Sequence, residues 1–289
     1  MNADLPLPVS RTSAELDTSG GGSCGSCALN NVANLEKLGL HSGRHDFVVA
    51  LAGNPNTGKS TVFNALTGLR QHVGNWPGTT VSRAEGAYRH QGHAYQVVDL
   101  PGTYSLLSTS NDEDTARDFL LFGDPDVTVV VVDATRLERN LNLVLQILQI
   151  TDRVVVALNL MDEAQRHGIT VDARHLAREL GVPVAPMSAR RGHGIPELLD
   201  SVAQVARGGT APRARVRQRL APAVERAVDA LAEQLVAEFP GLANSRWVAL
   251  RLLEGDVSTE RAVRDGTLGD VGRQHASRRD LVTAGQATS

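Results

Sequence analysis

Cysteine is nearly absent from this chain: Cys24 and Cys27 are the only two among 289 residues. They cannot supply a disulfide framework, and thiols this sparse fit a reducing cytosol. Aromatic residues are scarce too, at 3%, so Val, Leu, Ile and Ala have to fill any core. No apolar run approaches the ~18 residues of a membrane-spanning helix. The most apolar stretch, residues 127–132, has the length of a strand and is closed by Asp126 and Asp133. The amino terminus lacks the basic start and apolar middle of a secretory signal. An excess of positive charge is also missing: the formal net charge is −3, which argues against a surface built throughout for nucleic acid. The chain as given reads as soluble, and it could still be a piece of a larger membrane protein.

What is present suffices for one large domain and one small one. Residues 1–44 read as an extension, Gly/Ser-rich and flexible over 18–26. Leu29, Val32, Leu35 and Leu38 then recur at helical spacing. From Phe47 onward, short β-branched runs alternate with helical stretches. FVVALAG, YQVVDL, VTVVVVDA, RVVVALNL and VPVAPMS read as buried strands, and residues 84–90 as one antiparallel strand turning at Gly92. Strands alternating with helices predict crossovers and a mainly parallel sheet, an α/β domain over residues 45–208. Gly208, Gly209, Thr210, Ala211 and Pro212 read as a linker. Beyond it, Leu220, Val224, Val228, Leu231 and Leu235 predict a long helix that Pro240-Gly241 ends. A second helix carries Trp247, Leu250 and Leu253. With no strand after Met187, residues 209–289 read as a small all-helical domain.

The first strand runs into Gly53-Asn54-Pro55-Asn56-Thr57-Gly58-Lys59-Ser60, followed by Thr61 and a helical stretch. This fits G-x-x-x-x-G-K-[ST], a phosphate-binding loop. Gly53 and Gly58 permit the turn and let backbone N–H groups face phosphate oxygens. The helix amino terminus adds unpaired N–H groups and its positive dipole end. Lys59 can reach the β- and γ-phosphates, and the Ser60 hydroxyl can ligate Mg²⁺. A chance match to the four fixed positions occurs in roughly 1 of 100 chains of this length; the strand–loop–helix context reduces that further.

Asp99-Leu100-Pro101-Gly102 ends a second strand and fits D-x-x-G. Asp99 would hold Mg²⁺ through water, and the Gly102 N–H would meet the γ-phosphate. Between these elements lies Gly74-Asn75-Trp76-Pro77-Gly78-Thr79-Thr80-Val81. It reads as a mobile switch loop, with Thr80 rather than Thr79 as the second hydroxyl ligand of Mg²⁺. Trp76 is expected to be exposed there, which an ordinary surface turn would not explain.

Asn159-Leu160-Met161-Asp162 closes another strand and fits N-x-x-D. A carboxylate at Asp162 can accept both N1–H and N2–H of guanine, a donor pair that adenine lacks. Asn159 would brace the loop and approach the base edge. Ser188-Ala189-Arg190 follows the last strand and fits the S-A-K/R element, whose backbone N–H reads guanine O6. Each short pattern alone is weak. Their order, each at the carboxyl end of a strand, is the arrangement that binds ligands in such sheets.

Taken together, GNPNTGKSTVFNALTG, VGNWPGTTV, VDLPGTYSL, NLMD and SAR resemble the successive G motifs of the FeoB family of bacterial ferrous iron transporters. RWVALRLLEGD resembles that family's helical domain, and the likeness spans roughly residues 46–257. The resemblance implies a P-loop GTPase fold followed by a small all-α domain that slows nucleotide release. It implies a GTP- and GDP-binding regulatory module on the cytoplasmic side of the inner membrane, coupled to a membrane domain. That membrane domain is absent from this chain, so transport itself is not expected of it. It further implies a K⁺ ion beside the phosphates, ligated by Asn56 and switch carbonyls; the plainer reading of Asn56 is a hydrogen bond within its own loop.

Thr103 stands where Ras-type enzymes carry a water-positioning Gln and is too short for that role, so slow hydrolysis is expected. The catalytic set is then Lys59, Thr80, Gly102 and Asn56. A GTPase of ribosome assembly or tRNA modification is the alternative function, but it would need a basic appended domain. Arg207, Arg213, Arg215, Arg217 and Arg219 are thin evidence for that on an acidic chain, and no nucleic acid partner is expected. Cys24-Gly25-Ser26-Cys27 supplies half of a thiolate site, which two chains of a homo-oligomer could complete. The plainer reading is a flexible tail with incidental thiols.

Overall fold

The computed structural model describes residues 45–68, 71–76, 80–106, 110–123, 125–208, 220–240, 242 and 244–264. The amino-terminal extension with its expected helix, both cysteines, Thr79 and most of the expected linker lie outside the described residues.

Seven strands form one sheet in the order β2-β3-β4-β1-β5-β6-β7. They are β1 (Phe47–Gly53), β2 (Gln71–Asn75), β3 (Ser82–His90), β4 (His93–Asp99), β5 (Val127–Asp133), β6 (Val154–Asn159) and β7 (Val184–Pro186). Strands β4, β1, β5, β6 and β7 run parallel. Strands β3 and β2 add an antiparallel edge. The β3–β4 hairpin turns at Gln91 and Gly92, both at positive φ, the backbone that tight hairpins require.

Every residue of β5 and β6 is buried, because helices cover both faces. They include α1 (Lys59–Thr67), α2 (Asn111–Phe122), α3 (Leu137–Ile150), α4 (Met161–Arg166), α5 (Ala173–Leu180) and α6 (Ile195–Ala206). One core contains Val62, Phe63 and Leu66 of α1 with Leu198 and Val202 of α6. The other contains Phe119 and Leu120 of α2 with Leu143, Val144 and Ile147 of α3. At about 1.5–3 kcal/mol for each large apolar side chain removed from water, these stripes dominate the stability. Helix α2 opens with a capping interaction, Ser110 Oγ accepting from Glu113 N at 3.3 Å.

Beyond the sheet follow α7 (Pro222–Glu238), α8 (Ser245–Leu253) and α9 (Val257–Arg264). Val228, Leu235, Trp247 and Val248 from this helical part join the same core as Phe119. Arg117 of α2, buried, lies 3.8 Å from the Asp256 carboxylate, which also caps α9 through Thr259 N at 2.9 Å. Among the described residues no helix is long and apolar enough to cross a membrane.

Two expectations about the segment after α1 are corrected. Gly74 and Asn75 are not loop but the end of edge strand β2, paired with Arg83 and Ser82. QHVGN shows no apolar alternation, so only its pairing with β3 reveals it as a strand. Trp76 is buried, at 4% exposure, rather than exposed. Its ring meets Phe119 edge-on at 5.4 Å, with the Arg83 guanidinium 5.5 Å from its centre.

Candidate functional site

The parallel strands end side by side, and each end carries one of the expected motifs. At the end of β1 the chain passes close against β5: a Cβ on Gly53 would lie 2.8 Å from the Val131 carbonyl oxygen. The loop then curls through two left-handed residues, Asn56 at φ 66 and Gly58 at φ 83. A side chain at Gly58 would meet Asn159 Nδ2 at 2.5 Å, so glycine is required twice over there. Asn54 and Thr57 are buried, and Thr57 Oγ1 donates to Asn54 O at 2.9 Å. Pro55 packs beside Gly102. Asn56, Ser60 and Thr61 are exposed at the rim and at the first turn of α1.

Asn159 joins two motifs far apart in sequence. Its amide donates to the Thr57 carbonyl at 3.0 Å and accepts from Ala189 N at 3.0 Å. The side chain is 1% exposed, so it clamps the phosphate loop to the S-A-R turn from beneath.

At the end of β4, Lys59 Nζ donates to the Asp99 carboxylate and to the Leu100 carbonyl, the latter at 2.6 Å. Burial pushes the Asp99 carboxyl up, and the Lys59 ammonium opposes it. A hydroxyl at Ser60 and a carboxylate at Asp99 are the hard oxygen donors that Mg²⁺ takes, so the residues present fit that ion. Thr80 is exposed. It precedes Val81, whose carbonyl accepts from Trp76 N at 2.9 Å, and among the described residues no contact places it at the phosphate loop. Thr103 is buried. Its hydroxyl lies 2.5 Å from Ser105 O and 3.3 Å from Glu113 Oε1, and its N–H donates to Gly53 O at 3.3 Å.

At the ends of β6 and β7, Leu160 adopts φ 62 and starts α4, and Met161 N donates to Met187 O at 3.2 Å. Ser188 Oγ accepts from Asp162 N at 3.2 Å. Partial burial pushes the Asp162 carboxyl up. Bonding to the Ser188 hydroxyl, with Arg191 and Arg166 nearby, outweighs this and holds it below the usual carboxylate range. Ala189 is buried and Arg190 exposed. The sequence reading missed Arg191, whose Nε lies 3.1 Å from Asp162 Oδ2; only its position next to the S-A-R element could have flagged it.

A strand–loop–helix phosphate cradle, a lysine on the D-x-x-G aspartate and an N-x-x-D carboxylate beside a serine turn, all on one edge of this sheet, define a P-loop GTPase. Its family follows from comparison with known proteins. The family model described as ferrous iron transport protein B matches residues 47–202, and that of the FeoB cytosolic helical domain matches residues 221–281. The chain belongs to the FeoB family. It is 43% identical over 213 residues to the Fe(2+) transporter FeoB of Salmonella typhimurium, a match spanning 72% of this chain and 27% of that protein. The Escherichia coli K12 transporter is 42% identical over the same shares. The chain thus spans about a quarter of the length of these curated relatives. The cytosolic domain of Thermotoga maritima FeoB in a GDP form is similar at TM-score 0.70 and 35% identity, over 82% of this chain and 98% of that one. That of Legionella pneumophila is similar at TM-score 0.69 and 33% identity, over 82% and 98%.

Proposed function

We propose that this chain is the GTP-binding and slowly hydrolysing cytosolic module of a bacterial ferrous iron transporter. In this reading residues 45–208 form the nucleotide domain and 209–289 the helical domain. Its partner is a membrane domain, met at the cytoplasmic face of the inner membrane. The observation that carries the nucleotide reading is the double hydrogen bond of Asn159, which fixes the phosphate loop and the base-reading turn to one another. Backbone N–H groups of residues 56–60 bind the phosphates, Lys59 leaves Asp99 for the β- and γ-phosphates, and Asp162 accepts from guanine.

Ser60, Thr80 and Asp99 would hold Mg²⁺, and Asn56 would hold K⁺. Bound there, the two cations would supply neutralisation of charge developing between the β- and γ-phosphates. The Thr103 hydroxyl is engaged with Ser105 and Glu113, so this residue orients no water, which supports slow turnover. Thr80 is drawn to the phosphate loop only when the γ-phosphate orders its segment. Steady-state hydrolysis measured in K⁺ and in Na⁺ checks this. Turnover is expected to fall in Na⁺, the Asn56→Ala protein to lose the difference, and Thr80→Ala to lose turnover while still binding GDP. Equal rates in both salts for the unmodified protein would refute the K⁺ role; full turnover by Thr80→Ala would show the wrong threonine was chosen.

Nucleotide state has a path to the helical domain. The Gly102 loop runs into α2, whose Arg117 faces Asp256 and whose Phe119 shares a core with Val228 and Trp247. A ligand shifts an equilibrium only through contacts that differ between states, and the helical part packs on α2, the helix that follows the Gly102 loop in the chain. Deleting residues 213–289 is therefore expected to change the GDP release rate and leave guanine preference intact. Identical release of a fluorescent GDP analogue from both folded proteins, followed by stopped flow, would make the helical domain a passive spacer.

A further inference from the structure

We infer that Arg191 occupies the base-reading carboxylate when no nucleotide is bound and has to yield it to guanine, so that it weakens binding. This rests on the assignment of Asp162 as the guanine acceptor.

The loop that carries Arg191 is built rigidly. Ser188 N donates to His193 O at 3.0 Å, Arg191 N to Ser188 O at 2.9 Å, and Gly192 N to Ala189 O at 3.1 Å. Gly194 turns at φ 80, where a Cβ would stand 2.3 Å from Pro186 O. Ala189 N is tied to Asn159. Each bond fixes the backbone from which the Arg191 side chain extends to Asp162 Oδ2, at 3.1 Å.

Guanine presents N1–H and N2–H, two parallel donors that need both oxygens of one carboxylate. The Arg191 Nε–H is a donor already placed on one of those oxygens, so base and arginine compete. The Asp162 backbone does not need Arg191 to hold it, because its N–H donates to Ser188 Oγ and α4 carries it. Arg166, the other cation nearby, sits one turn along the same helix, with Nη2 3.7 Å from Asp162 Oδ2 and 3.3 Å from Glu163 Oε1. Arg191 comes from a separate segment and is more than half exposed, at 55%, so it can swing into solvent when the base arrives.

Exposed ion pairs of this kind are weak, so the competition is worth about a two- to fivefold change in affinity. The test is GDP affinity by calorimetry, for the unmodified protein, Arg191→Gln and Arg191→Lys. K⁺ is held constant, and ionic strength is raised with choline chloride. Arg191→Gln is expected to bind GDP about two- to fivefold more tightly at low ionic strength. The gap should close as salt screens the pair, and Arg191→Lys should keep the behaviour of the unmodified protein. Equal or weaker GDP binding by Arg191→Gln with an unchanged melting temperature overturns the inference. A gain that persists at high salt overturns the competition mechanism as well. Failure of the underlying assignment looks different: GDP binding that is unaffected by Asp162→Asn removes the carboxylate's role, and the inference with it.

Discussion

Asp162→Asn is expected to lower GDP and GTP affinity by about 10²–10⁴-fold, through two charge-assisted hydrogen bonds worth roughly 1.5–3 kcal/mol each. The substitution puts an amide where a carboxylate stood. At least one of guanine's two donors then faces an N–H₂ group or one weaker acceptor. The loss is specific to the base because Asp162 has no part in holding the phosphate loop; Asn159 and Thr57 do that. The fold should survive. The Asp162 side chain is partly exposed, at 18%, in the first turn of α4, where losing a negative charge costs only about 0.3–1 kcal/mol. Calorimetry with GDP, beside thermal melting of both proteins, checks it. Undiminished GDP affinity would sink the assignment of Asp162, and a collapse of the melting temperature would make the variant uninformative about the base.

Lys59→Ala should be the most damaging change to hydrolysis, lowering turnover by at least about 10²-fold, the scale on which single preorganised charge stabilisers act. GTP affinity should fall more than GDP affinity, because the ammonium reaches the γ-phosphate as well as the β. Two features of the site sharpen this. First, Lys59 bonds Asp99 and the Leu100 carbonyl, so it is already held at the junction of the phosphate loop and the D-x-x-G loop. Second, the phosphate loop keeps its shape without it, through Asn159, Thr57 and the left-handed backbone at Asn56 and Gly58. The variant should therefore fold with a melting temperature near that of the unmodified protein. Single-turnover hydrolysis with saturating GTP separates lost chemistry from lost binding. A rate within a few-fold of the unmodified protein would mean that Lys59 is no part of the catalytic set.

How much of this was legible beforehand depends on the range of each interaction. The β-branched runs, the helical stripes and the turn glycines encode themselves locally, because strand and helix periods and positive-φ positions are properties of neighbouring residues. The sequence alone therefore determined the mainly parallel α/β sheet with a helical tail, the phosphate loop and the order of the motifs along the chain. It could not show that QHVGN becomes an edge strand, since five residues without alternation acquire that role only from pairing with β3. Nor could it show that Trp76 is buried, because the covering ring, Phe119, lies on α2 across a separate segment.

The tertiary structure alone decided which side chains meet at the candidate site. Asn159 bonds Thr57 and Ala189, 102 and 30 residues away. Lys59 bonds Asp99 across 40 residues. Of two adjacent arginines, Arg191 rather than Arg190 faces Asp162, because the 3₁₀ turn after Ser188 sets the direction of each side chain. Contacts between distant residues leave no period in a sequence; they exist only once burial of the sheet has brought the strand ends together.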